Sequence, residues 1–173
     1  ALKRCCTCLT AVLSEVCSEG GPGSGDGADR ALLPLLVRAL LALAKMKVLH
    51  QAVLDGLARA APERLVSLDA ARRVEALSAL ASLGVHRHAA GEHWAESLGA
   101  AALRQLGVPQ LANLSWAAAS LELESSKLPD ALAGHVATLE FRGCSFCHLS
   151  KLAWGLAKML PERPVQQQQQ QEQ

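Results

Sequence analysis

The sequence predicts an all-α fold, an α-solenoid of about four helix-turn-helix repeats of 37–38 residues. Three observations carry that expectation. First, one phrase is written four times: VRALLALAKMKV at 37–48, VEALSALASLGV at 74–85, LANLSWAAASLEL at 111–123 and LSKLAWGLAKML at 149–160. The first two copies lie 37 residues apart and share seven of twelve residues, and the last two lie 38 apart when Trp116 is laid on Trp154. Self-similarity at this period marks a helical repeat array. Second, half of the 173 residues are apolar, mostly Ala and Leu, with no Tyr, two Phe and three Trp. Ala and Leu favour helix, and the β-branched and aromatic residues that favour strands are scarce. Third, turn residues fall between the apolar phrases, at the places a helical pair needs them.

Taken in order, residues 2–17 have apolar positions at helical spacing. Residues 1–18 therefore read as an N-terminal helix, either a cap or the last helix of a degenerate repeat. GGPGSGDGAD at 20–29 reads as a Gly-rich linker, with 19–30 as its bounds. The repeat array follows over 31–164. Its first helices carry the phrase, and its second helices are expected over 49–61, 89–106 and 128–141. Leu57, Trp94 and Leu132 hold matching places in those second helices. Pro62, Pro109 and Pro129 stand at expected helix starts, where a missing amide costs little. Asp69 is a candidate N-cap, and Gly84, Gly107 and Gly143 stand near helix ends. The glutamine tract within 165–173 has nothing to bury and reads as a disordered tail.

Net charge is +1, from 17 basic and 16 acidic residues. That is not the strongly basic balance of many nucleic-acid binders, but the charge on one face is what counts. No stretch is long and apolar enough to cross a membrane; 31–44 is the longest, and Pro34 and Arg38 interrupt it. The six cysteines, Cys5, Cys6, Cys8, Cys17, Cys144 and Cys147, lie within helical sequence and suit a reducing interior better than a secreted disulfide scaffold. A chain starting at Ala1 is read as a mature product without its targeting peptide, or as a fragment.

LANLSWAAASL at 111–121 resembles the signature of octotricopeptide repeats, a 38-residue helical-pair family whose pattern runs L-A-N-x-x-W-A-L-A-K-L. Leu111, Ala112, Asn113, Trp116, Ala117, Ala119 and Leu121 match in register. In the next copy Leu149, Trp154, Leu156, Ala157 and Lys158 match, with Met159 in the last position. The related heptatricopeptide repeats and the helical part of FAST-kinase-like and RAP-related proteins share much of this pattern. The first two copies lack the Trp, with Leu41 and Ser78 or Ala79 in its place, and glutamines stand where a RAP module would follow. The resemblance implies an organellar protein, mitochondrial (matrix) first and chloroplast second. It implies action on RNA, either in processing and stability or within a mitochondrial ribosome. At about one base per repeat, four repeats would read a very short RNA, which favours a part of a larger assembly.

The candidate RNA-contacting residues are Lys45, Lys47, Arg72, Arg73, Arg87, Arg104, Lys127, Arg142, Lys151 and Lys158, with Arg163 beyond them. They recur near helix ends, and Arg104 and Arg142 are 38 apart. Stacked repeats would align such residues along one edge, where they can neutralise phosphates. Trp94, Trp116 and Trp154 are expected in the core. Cys144-Ser-Phe-Cys147-His148 has the spacing of a haem-attachment motif, and Cys144, Cys147 and His148 are the weak candidates for a metal, with Cys6 and Cys8 as distant helpers. Buried free cysteine is the default, so no metal and no cofactor are expected. His86, His88 and His93 read as a polar turn. No phosphate-cradling loop or catalytic arrangement is recognisable, since GGPGSGDG lacks the Lys-Ser/Thr of a P-loop. The expected function is non-catalytic: an organellar RNA-binding repeat protein, an accessory component of a mitochondrial ribosome that meets rRNA and neighbouring proteins. The alternatives are a protein-scaffolding solenoid without RNA contact and a free RNA-processing factor. No membrane or small-molecule partner is expected.

Overall fold

The structure, a computed structural model, describes residues 26–60, 62–65, 67–123 and 127–160, with side chains from residue 33 onward. The expected N-terminal helix, Cys5, Cys6, Cys8, Cys17, Arg163 and the glutamine tract lie outside the described residues. Among those described there are nine helices and no strand: α1 Asp26–Met46, α2 Gln51–Arg59, α3 Pro62–Leu65, α4 Ala70–Ser82, α5 Ala89–Glu96, α6 Ala100–Leu103, α7 Val108–Leu121, α8 Leu128–Val136 and α9 Phe146–Met159. The fold is all-α, as the Ala- and Leu-rich composition requires. No helix among the described residues is long and apolar enough to cross a membrane.

The four phrases form α1, α4, α7 and α9, and these pack in chain order: α1 on α4, α4 on α7, α7 on α9. The shorter helices lie beside them, α2 against α1, α5 against α2, α3 and α4, and α8 against α6 and α9. One continuous core runs through them, including Leu40, Leu57, Leu77, Trp94, Leu111 and Leu132.

Local chemistry ends the phrase helices at regular intervals. The N-caps of α4, α7 and α9 are Asp69, Gly107 and Ser145, each 38 residues after the last. Asp69 accepts from the Arg72 amide at 2.8 Å, and Ser145 Oγ accepts from the His148 amide at 3.3 Å, each satisfying an orphan donor. Lys47, Gly84 and Glu122 follow α1, α4 and α7 in the left-handed region, at φ 55, 69 and 55. Beyond them the amides of Val48, Val85 and Leu123 bond back to the carbonyls of Leu43, Leu80 and Ala118 at 3.0, 3.1 and 3.3 Å. These are three copies of one Schellman closure, each with an apolar residue just past the turn.

Two contacts fix the layers. Trp94 is fully buried and its indole N–H donates to the Leu65 carbonyl at 3.0 Å, so its ring and its polar end are both satisfied. Between α7 and α9, the buried Ser115 hydroxyl donates to the Leu152 carbonyl at 3.0 Å. There Gly155 lies so close that a Cβ would collide with Ser115 Oγ and its backbone. Glycine is required at that crossing for space, not for φ.

The structure corrects four expectations. Helix α1 begins at Asp26, inside the expected 19–30 linker. The expected second helix over 89–106 is broken: α5 ends at Glu96 and α6 starts after Gly99. Ser97 Oγ takes the Trp94 carbonyl at 2.8 Å, diverting a helical acceptor at the break. The other second helices are shorter than expected, at 51–59 and 128–136. Trp154 is 48% exposed rather than in the core, and Trp116 is half-buried; of the three tryptophans only Trp94 is a core residue.

Replacing Gly155 by Ala is expected to cost about 1–3 kcal/mol through overpacking. Gly134, inside α8 with open space around its Cβ position, should by contrast gain about 0.5–1 kcal/mol as Ala. Urea unfolding of the two variants checks both, and equal effects would contradict the crossing described.

Candidate nucleic-acid interface

The turns that end α1 and start α4 and α7 bring polar residues of three phrase helices onto one surface. An open groove of about 610 Å³ runs across them. It is lined by Leu41, Ala44, Val74 and Ala79, by Lys45 of α1 and Lys47 just after it, by Arg72, Glu75, Ser78 and Ser82 of α4, and by Gln110 and Asn113 of α7.

Lys47, Arg72, Lys151 and Lys158 each have a defined neighbour. Lys47 Nζ donates to the Ser82 carbonyl at 3.4 Å, bridging α1's end to α4. Arg72 pairs with Glu75 at 2.8 Å, with both side chains more than half exposed. An exposed pair of this kind is worth about 0–1 kcal/mol, so an incoming phosphate can exchange for the carboxylate at little cost. Lys151 of α9 donates to Asn113 Oδ1 at 3.0 Å and lies 5.5 Å above the Trp116 ring, which continues the polar surface onto the fourth phrase helix. Lys158 repeats the motif one turn pair further on, 5.5 Å above the exposed Trp154 ring and 3.9 Å from Glu122. Gln110 accepts the Gly107 amide at 2.8 Å through Oε1, which orients its amide nitrogen.

Of the sequence-predicted residues, Lys45, Lys47 and Arg72 line the groove, with Lys151 attached through Asn113. Arg73 turns inward instead, donating to the Ser97 carbonyl at 3.1 Å and its hydroxyl at 2.6 Å. Burial lowers its affinity for the proton below the ordinary arginine value, with Asp69 opposing. Its work is to tie α4 to the break after α5, and it leaves the expected basic edge. Arg87 stands in the turn after α4 at φ 49, Arg104 caps α6, Lys127 precedes α8, and Arg142, 93% exposed in its side chain, lies 3.8 Å from Glu140. These four belong to turns, not to the groove.

The other expected sites resolve locally. Cys144 is half-buried and Cys147 exposed, both free. His148 Nδ1 lies 2.9 Å from Ser145 Oγ within the cap of α9. Among the described residues no three His, Cys, Asp or Glu converge as a metal would need. His88 is a strut: its Nδ1 accepts the Ala90 amide at 3.2 Å, so Nε2 carries the proton and donates to the Leu54 carbonyl at 3.1 Å. His93 stands 3.9 Å from Glu96.

Sequence reasoning missed Glu75, Gln110 and Asn113. A signal for them existed: Arg38, Glu75, Asn113 and Lys151 are spaced 37, 38 and 38 apart, the interval of the phrase itself. The phrase drew attention to its apolar positions, and its polar ones were not followed. Comparison with family models, with curated proteins and with solved structures finds no match.

Lys151 is half-buried at the margin of the α7–α9 contact, and Asn113 and Trp116 position its ammonium. Lys151→Met should therefore change unfolding free energy by less than about 1 kcal/mol. A thermal melt checks this, and a larger loss would make the Asn113–Lys151–Trp116 cluster structural.

Proposed function

We propose that this chain is an α-solenoid of about four 37–38-residue repeats, of octotricopeptide type, that binds RNA without catalysis. In the cell it serves as an accessory component of a mitochondrial ribosome, meeting rRNA through its groove and neighbouring proteins through its apolar surface. The solenoid reading is supported by phrase helices that pack in chain order and by caps and left-handed turns that recur at the phrase interval. The RNA reading is carried by one observation: cations, amides and hydroxyls from successive phrase helices share a single groove, next to a lysine held over a half-buried tryptophan. Cations meet phosphates, while amides and aromatic faces meet the edges and faces of unpaired bases. The organellar assignment is supported by the octotricopeptide-like phrase.

A scaffold without RNA is the second reading, favoured by the exposed Phe146 and Trp154 on α9. Fluorescence anisotropy with a labelled single-stranded RNA separates the two. Binding should weaken with salt, with a slope in log K of about 0.7 per phosphate neutralised, or about 3 for Lys45, Lys47, Arg72 and Lys151 together. The Lys45→Glu/Arg72→Glu pair should lower affinity by about tenfold or more, while Arg104→Glu/Arg142→Glu should leave it within about twofold. Equal losses from both pairs, or no binding at low salt, would remove the groove from consideration. Sedimentation of the endogenous protein from organelle lysates, with and without RNase, then tests the ribosomal assignment.

A further inference from the structure

The phrase register compares one helix surface across all four phrase helices. On α7, the stripe of Ala112, Ser115, Trp116 and Ala119 is where α9 lies: Ser115 takes the Leu152 carbonyl and faces Gly155, and Trp116 takes Lys151. Ala112, Ser115 and Ala119 are 0–3% exposed there. On α4 the same register positions, Val74, Leu77, Ser78 and Ala81, are buried or half-buried, and so are Val37, Leu40, Leu41 and Ala44 on α1. On α9 the stripe is Ser150, Ala153, Trp154 and Ala157, and all four are exposed, with Phe146 on the same side at 84%. Among the described residues, a surface covered in three helices is left bare in the fourth.

The opposite surface shows the reverse. The positions by which α9 seats on α7 include Leu152, Gly155 and Met159, buried or half-buried. Their equivalents are buried or half-buried on α7 (Leu114, Ala117, Leu121) and on α4 (Ala76, Ala79, Leu83). On α1 they are Ala39, Ala42 and Met46, with Ala39 half-buried, Ala42 exposed and Met46 40% exposed, and Leu35 on the same side 51% exposed. Both bare faces carry a small residue at the crossing position, Ala42 where α9 has Gly155 and Ala153 where α7 has Ser115, so a crossing made by the two stands slightly wider than that of α7 and α9.

We infer that these two faces are halves of one interface, and that α9 of one copy docks α1 of a second copy in the manner of α7 on α9. The contact continues an interface already present inside the chain. It is heterologous, so a bound copy still offers one free face at each end and the assembly grows head to tail. In this register Arg38 of the incoming helix takes the place of Lys151 and lies over Trp154. Charge does not drive the contact: Arg38 and Lys45 stand at one end, Lys151 and Lys158 at the other. Added salt screens that repulsion and strengthens association, the reverse of its effect on phosphate binding. The inference does not rest on the RNA reading.

Sedimentation velocity of the full chain at low and high salt, over a wide concentration range, provides the test. The expected result is a sedimentation coefficient that rises with concentration, and more so at high salt. Ala42→Arg and Ala153→Arg change exposed positions and should each leave helical circular dichroism intact while abolishing growth. An equimolar mixture of the two should form a dimer and stop there, because each copy retains one working face. A monomer at every concentration and salt overturns the inference. Variants that assemble like the parent, or a mixture that stays monomeric, overturn it equally.

Discussion

How closely two phrase helices can approach governs the rest of this molecule. Where α7 meets α9, a serine hydroxyl reaches a backbone carbonyl and a glycine leaves no room for a side chain. At that crossing the helices gain through close dispersion contacts, while the buried leucines on either side supply most of the apolar area. Alanines of the phrase also lie buried where α4 meets α7, among them Ala76, Ala79 and Ala117. Trp94 supplies bulk only where the second layer needs it, and its one polar atom is satisfied by Leu65. The polar groove follows from this geometry, because helices set side by side in register bring equivalent positions next to each other.

Much of this organisation was legible before any coordinates. The phrase marked all four long helices, Asp69 was recognisable as a cap, and Pro62, Pro109 and Pro129 stood at helix starts. Other features could not be read. Trp154 sits in the same phrase position as Trp116, and nothing in its neighbourhood says that no helix covers it; burial is set by the next element, not by the residue. Arg73 and Arg72 are adjacent and chemically alike, yet one reaches inward to Ser97 and the other faces the groove, because a step of one residue turns a helix by about 100°. Ser97 and Gly99 broke a helix whose apolar spacing continued across them.

The groove and the bare helix faces differ in what could occupy them. In and beside the groove, three cations hold a neutral or anionic group they could give up: Glu75 for Arg72, Asn113 for Lys151, a carbonyl for Lys47. Such a surface is stable empty and can still receive an anion without leaving a buried charge unpaired. The exposed stripe of α9 has no comparable polar arrangement apart from Lys158, and its Trp and Phe call for an apolar cover.

The three turns that close α1, α4 and α7 have one further implication. A left-handed residue is usually a glycine, yet only Gly84 is one; Lys47 and Glu122 hold the same conformation at a cost of about 1 kcal/mol each. The closure itself is made by backbone groups, so the turn tolerates almost any side chain at that point. Lys47 uses this latitude to place an ammonium at the groove, and Glu122 to meet Lys158. The joints of the chain can thus be rewritten chemically without being rebuilt, a route by which copies of one architecture could acquire different ligands while keeping the same bend.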